Sequence, residues 1–156
     1  MKPFSFNHGP RLIAGAGATA GIGDLLPDGP CLFVTDSQIL ALGLADAALA
    51  GLRGRGVEPI VFDSVEADPS RATLMAAVAA GAGCASVVGF GGGSPMDVAK
   101  LAAYLLGSGD DLDTIWGVEI AQGTRLPLVL VPTTAGTGSE ATPISVITCE
   151  IGRAHV

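Results

Sequence analysis

The stretch that most constrains this chain is Gly91-Gly92-Gly93-Ser94-Pro95-Met96-Asp97. The apolar run at 84–90 before it reads as a buried strand. Val98, Leu101, Ala102 and Leu105 after it fall on one face of a helix. Strand, glycine turn and helix N-terminus together suit an anion: glycines let the backbone approach a phosphate, and the first free N–H groups of the helix point at it. Capping is the alternative, with Ser94 as N-cap, Pro95 at the first helical position and Asp97 closing a capping box. It leaves unexplained three consecutive glycines, each costly in backbone entropy. Phosphate binding is the favoured reading.

The 156 residues suit one domain with a real core. With 49% hydrophobic residues, 23 glycines and only 15% charged residues, the chain is globular rather than disordered. A net charge of −7 argues against nucleic acid or an anionic membrane as partner. A bound dinucleotide has to be held by backbone amides and helix ends. Cys31, Cys84 and Cys149 are odd in number, far apart and without metal spacing, so reduced thiols and a cytoplasmic location are expected. Residues 1–5 lack the apolar stretch of a signal peptide. Met75 to Gly93 is nearly free of polar side chains, but it changes from helix-like to strand-like partway and reads as a buried helix–strand pair, not a membrane span.

In chain order, Arg11 to Ala14 is a short strand candidate. Gly15-Ala-Gly17-Ala-Thr-Ala20 then matches G-x-G-x-x-A, with Asp36 at the distance of a dinucleotide fingerprint. The match is discounted, because Gly21, Gly23 and the Pro27 to Pro30 stop leave too short and glycine-rich a helix to cover a sheet. Residues 31–35 read as a strand ending at Asp36, and 37–54 as helical with a break at Gly43. A strand at 59–62, a helix from Asp68-Pro69-Ser70 to about Ala80 and a strand at 85–90 follow. After the glycine turn come a helix to Leu106, at most two turns between Asp111 and Trp116, and a strand from Leu126 to Val131 closed by Pro132. Strands alternating with helices predict an α/β, Rossmann-like, mainly parallel sheet with helices on both faces.

The second chemical stretch is Pro132-Thr-Thr-Ala-Gly-Thr-Gly-Ser-Glu140, directly beyond a strand, where ligands of open α/β sheets bind. It is either a ligand loop of hydroxyls and amides or a polar turn leading to 144–148. Asp36 is either an N-cap or a ribose acceptor that repels a 2′-phosphate. His8 and His155 are isolated and read as surface residues, Lys100 as a solvated helix residue, and Tyr104 and Trp116 as core or rim.

Taken together, Val34-Thr-Asp36, Leu42-Gly-Leu44, Gly91 to Lys100 and Pro132 to Glu140 resemble the iron-containing (group III) alcohol dehydrogenase family in order and spacing across nearly all of residues 1–149. The resemblance implies a nucleotide-binding half, 1–149, of a two-domain enzyme that is NAD-dependent. By that resemblance Gly91, Gly92, Gly93 and Ser94 hold the cofactor pyrophosphate, with Asp97 in the same motif. Thr133, Thr134, Thr137 and Ser139 lie along the cofactor toward the nicotinamide, and Asp36 bears on the adenosine ribose and disfavours NADP. It also implies a divalent metal, iron or zinc, held by one Asp and three His of a helical C-terminal half. No position of this chain matches those ligands, so neither catalytic nor metal-binding residues are expected in it. Ile151 to Val156 resembles one reading frame of a widely used short-read sequencing adapter. Residues 150–156 are therefore expected to be a non-native tail, natural truncation being the alternative.

The expected activity of the parent is hydride transfer between a small alcohol or aldehyde and NAD, in a cytoplasmic homo-oligomer. A maleylacetate reductase or polyol dehydrogenase relative is one alternative, and a non-catalytic nucleotide-binding module another. The chain alone is expected to be inactive.

Overall fold

The computed structural model describes residues 9–117, 119–149 and 152–155. The reading of His8, and that of the tail at 150, 151 and 156, lie outside the described residues. Four parallel strands form the main sheet: β1 (Cys31–Val34), β2 (Pro59–Phe62), β3 (Ser86–Gly91) and β4 (Leu128–Pro132). Their order is β2-β1-β3-β4. The chain therefore builds outward from β1 to β2, then crosses back to lay β3 on the other side of β1. The reversal between β1 and β3 opens a crevice at the carboxyl ends of those strands.

Alternation along β1 divides the core. Leu32 and Val34 face one side and pack with Leu74 and Ala77 of α3 (Arg71–Ala80) and with Val98, Leu101 and Ala102 of α4 (Gly93–Ser108). Cys31 and Phe33 face the other and pack with Ile39 of α1 (Ser37–Ala41) and with Ala48 and Leu52 of α2 (Asp46–Gly54). Phe33 stacks on Phe90 of β3 with ring centroids 5.7 Å apart. A strand buried on both faces reads as continuous hydrophobicity in a parallel sheet, and both β1 and β3 are buried throughout. Helices thus cover both faces, as the alternating pattern predicts.

The helical stretch at 37–54 does break at Gly43, whose φ is 68°. Ser70 caps α3, accepting from the Thr73 N–H at 3.1 Å. The apolar Met75 to Gly93 segment is divided between α3 and β3, and among the described residues no helix is long and apolar enough to cross a membrane. After β4 the chain has no regular structure until β5 (Val146–Cys149), which pairs antiparallel with β6 (Gly152–His155).

One sequence expectation fails. Arg11 to Ala14 forms no strand and is exposed, pairing with neither edge strand of the sheet, β2 or β4. The segment after Gly15 and Gly17 is a 3₁₀ helix, Ala18–Leu25, lying against α2 rather than opening from a strand. The G-x-G-x-x-A match thus lacks the strand–turn–helix frame that gives such glycines a phosphate to hold.

Candidate cofactor site

The three sequence stretches meet at the crevice. β1 is followed by Thr35 and Asp36, β3 runs into the glycine turn, and β4 delivers Thr133, whose N–H donates to the Gly91 carbonyl at 2.8 Å. Gly91 can only be glycine: its φ is 149°, and a Cβ there would lie 2.9 Å from Cγ of Pro95. The same Cβ position is 3.5 Å from Oδ2 of Asp36, so the Asp36 carboxylate borders the turn. Its other oxygen, Oδ1, accepts from the Ile39 N–H at 2.9 Å and caps α1. The N-cap reading of Asp36 is thus met by one oxygen, and the other, unused in the cap, borders the glycine turn.

The capping-box reading of the glycine turn is corrected. The N-cap is Gly92, the helix begins at Gly93, and no side chain caps it. Ser94 and Pro95 already lie inside the first turn. The first-turn amides of α4 have no carbonyls one turn back to bind, which leaves a fractional positive charge at the glycine turn. Asp97 points instead into the protein. Its Oδ1 accepts from the Ser139 hydroxyl at 2.5 Å and lies 2.9 Å from Nζ of Lys100, and its Oδ2 accepts from the Val146 N–H at 3.1 Å.

Lys100 is likewise corrected from a solvated helix residue to a buried one. Only 9% of it is exposed, and its ammonium also donates to the carbonyls of Thr142 (3.4 Å) and Ile144. Its spacing misleads, since a lysine three residues after an aspartate on a helix is usually a surface pair. Tyr104 sits at the rim as expected, its hydroxyl accepting from the Gly123 N–H and donating to Asp110. Trp116 packs half-buried against the same core.

Beside the turn the fold leaves space. A Cβ on Gly92 would meet nothing closer than Thr134 Oγ1 at 3.5 Å, and one on Gly93 nothing closer than Thr137 Cγ2 at 3.4 Å. The packing at 92 and 93 does not itself demand glycine. Thr133, Thr134 and Thr137 are exposed on the facing loop, whereas Ser139 is buried with its hydroxyl proton committed to Asp97. Of the residues singled out in sequence, Asp36, Gly91, Gly92, Gly93, Ser94, Thr134 and Thr137 line or border the opening. Asp97 and Ser139 lie deeper, in the lining of the cleft that continues from it.

A cleft of about 430 Å³ continues from Gly93 and Ser94, between Thr137 and Ser139 on one side and Asp68 and Pro69 on the other. Asp68 was legible in sequence only as part of a helix start. It adopts φ 53°, a left-handed conformation that Asp tolerates better than most residues. Its carbonyl accepts from the Thr148 hydroxyl at 3.2 Å, and the Thr148 N–H donates to the Pro69 carbonyl at 2.8 Å, tying β5 to this wall. Behind it, burial pushes the Glu66 carboxyl up, but hydrogen bonds from the Ser70 N–H and the Thr73 hydroxyl outweigh that and hold it below its ordinary range. No group of three or more His, Cys, Asp or Glu side chains among the described residues is placed to hold a metal ion. The free thiols of Cys31 and Cys84 are buried, and desolvation raises the Cys31 thiol to about 11.

Known proteins carry the same arrangement. Residues 9–155 match the family described as iron-containing alcohol dehydrogenase. The long-chain-alcohol dehydrogenase 1 of Geobacillus thermodenitrificans is 41% identical over 124 residues, covering 76% of this chain and 31% of that protein. The crystal structure of a 1,3-propanediol oxidoreductase superposes with a TM-score of 0.82 at 32% identity, over 88% of this chain and 38% of that one. The sulfoacetaldehyde reductase of Bifidobacterium kashiwanohense, solved in complex with NAD+, gives 0.75 at 31% identity over 90% of this chain and 39% of that one. The chain thus spans between about three-tenths and two-fifths of the length of these relatives, and the matches fall on their N-terminal half. The sheet order, the glycine turn at its switch point and these matches over nearly the whole sequence agree: the chain belongs to the iron-containing alcohol dehydrogenase family.

Proposed function

We propose that this chain is the NAD-binding part of a metal-dependent alcohol dehydrogenase, with the cofactor pyrophosphate seated on the N-terminus of α4. The observation that carries this reading is the opening beside Gly92 and Gly93. Two glycines that the packing does not require flank a helix N-terminus at the switch point of a parallel sheet. A pyrophosphate fits what is present there: amides of the first turn, the fractional positive charge of the helix end, and the hydroxyls of Thr134 and Thr137 across the gap. Thr133 extends the same hydroxyl-bearing wall. An acidic chain with net charge −7 suits this mode, because backbone amides rather than lysines neutralise the ligand. Asp36 accepts from the adenosine ribose through the oxygen not used in capping and repels a 2′-phosphate.

Bound NAD supplies the hydride acceptor at its nicotinamide ring. The residues of this chain bind and orient it, and Asp97 and Ser139 act from below by holding the loop that bears Thr134 and Thr137. The alcohol or aldehyde pocket and the ligands of an iron or zinc ion are assigned to the part of the enzyme that this chain does not span. The complete enzyme is proposed to be a cytoplasmic homo-oligomer acting on a small alcohol or its aldehyde.

The test is to titrate NAD into the purified chain by calorimetry, then to assay short alcohols and diols with added iron or zinc. Saturable NAD binding, displaced by inorganic pyrophosphate, with no NADH formed is the expected result. A folded chain that does not bind NAD would remove the cofactor reading, and metal-dependent turnover would remove this division of labour.

A further inference from the structure

We infer that Lys100 and Asp97 are positioning residues, which fix the loop after β4 at the distance from the glycine turn that NAD requires without touching the cofactor themselves. This rests on the cofactor reading above. Both side chains are buried, with 9% and 11% of their side-chain surface exposed, on a helix whose neighbouring positions Val98, Ala99, Leu101 and Ala102 are plain core. A buried ion pair is seldom more stabilising than apolar residues of the same volume, because two charges must leave water. Stability alone does not account for one here.

Geometry supplies the account. The ammonium has three acceptors, the Asp97 carboxylate and the carbonyls of Thr142 and Ile144. The carboxylate has three donors, Lys100, the Ser139 hydroxyl and the Val146 N–H. Each ion is therefore fully partnered. Apart from their bond to one another, every partner lies on the segment from Ser139 to Val146. That segment has no strand or helix of its own before β5. Regular backbone pairing cannot set its register, so the ion pair does, at four points over eight residues. Immediately upstream are Thr134 and Thr137, which face Gly92 and Gly93 at 3.5 and 3.4 Å from ideal Cβ positions. A shift of about 1 Å in this loop changes the gap that receives the phosphates by a large fraction. The pair is thus a clamp between the first two turns of α4 and the opposite wall of the cofactor crevice.

The experiment compares the unaltered chain with Ser139→Ala, Lys100→Met and Gly92→Val. Three quantities are read: the NAD dissociation constant, the melting temperature, and hydrogen–deuterium exchange of peptides covering 133–146 and the β1 and β3 strands. Ser139→Ala removes one hydrogen bond to a charged group, which corresponds to about a tenfold effect. It should weaken NAD about tenfold and speed exchange in 133–146, with the strands unchanged. Lys100→Met, which strands a buried carboxylate, should do both more strongly; should it fail to fold, Ser139→Ala decides alone. Gly92→Val should weaken NAD without loosening 133–146. Faster exchange with NAD affinity within twofold of the unaltered chain overturns the positioning role, as does unchanged exchange in 133–146. Absence of NAD binding by the unaltered chain, with exchange responding as expected, overturns the cofactor reading and leaves the clamp supported.

Discussion

Gly91 and Gly92 are adjacent and chemically identical, yet the structure assigns them opposite consequences on substitution. At Gly92 the backbone is extended, with φ −78° and ψ −165°, and a Cβ would meet only the Thr134 side chain at 3.5 and 3.9 Å. Alanine is sterically acceptable there. Loss of glycine's freedom in the unfolded chain stabilises by about 0.4–1 kcal/mol, and the poorer N-cap costs about as much. The net effect of Gly92→Ala on stability is thus within about 1 kcal/mol of zero. Binding is another matter. The added carbon sits where a phosphate has to approach the first-turn amides, and hydrogen bonds to a charged group are each worth about 1.5–3 kcal/mol. Losing two costs at least about 3 kcal/mol, or roughly a hundredfold in NAD affinity. Gly92→Val, which adds two further methyl groups to the gap, should abolish measurable binding.

At Gly91 the balance reverses. Any Cβ is forced into a φ of 149° and lies 2.9 Å from a ring carbon of Pro95, whose position is fixed in the first turn of α4. Backbone strain and overpacking of this kind cost about 1–3 kcal/mol each. At about 2–4 °C per kcal/mol for a chain of this size, Gly91→Ala should lower the melting temperature by about 4–24 °C. The assay is a thermal melt and a calorimetric NAD titration on each variant, below the lower melting temperature. A Gly92→Ala chain that melts normally and binds NAD as tightly as the unaltered chain refutes the reasoning: the turn is then a helix start and nothing more.

Asp36→Ser keeps a capping oxygen for the Ile39 N–H and removes the charge, so the melting temperature should hold while the preference for NAD over NADP shrinks; an unchanged ratio of the two dissociation constants removes the ribose contact. Thiol reagents at pH 8 should label Cys149 quickly and Cys31 only on unfolding, because burial raises the Cys31 thiol to about 11; rapid labelling of Cys31 in a mass-mapped time course contradicts the buried β1. Glu66, held below its ordinary value by Ser70 and Thr73, contributes stability above its unfolded pKa and loses it as pH falls through the depressed folded value. Glu66→Gln should therefore flatten the acid limb of a pH–stability curve below about pH 4.5, and an unaltered limb denies those hydrogen bonds.

The fold was legible because its signals are local. β1 and β3 are apolar runs bounded by turn residues, and α3 announces itself by its start signal Ser70. Arg11 to Ala14 shows the limit of that method, since four residues of suitable composition make a strand only where a neighbouring strand offers them a ladder. The glycine turn and the Thr133 to Ser139 loop were legible as separate motifs. Their meeting was implied only by the family resemblance, because physically it follows from the order β2-β1-β3-β4, which sets the ends of β1, β3 and β4 side by side.

The residues least legible were those whose sequence neighbours mislead. Asp97 stands three residues after Ser94, the spacing of a capping box, and Lys100 three after Asp97, the spacing of a surface ion pair. Each local rule assumes partners within one turn of the same helix. In the folded chain the principal partners of both lie 42 to 49 residues later, on a segment with no periodicity to reveal it. One cue was available. Met96, Val98, Ala99, Leu101, Ala102, Ala103 and Tyr104 crowd the helix with apolar or half-apolar side chains on nearly every side, so no wide polar face remains for Asp97 and Lys100 to occupy. A helix apolar nearly all round is buried nearly all round. Two charges inside such a helix must find each other or the backbone of a passing loop, and here they do both.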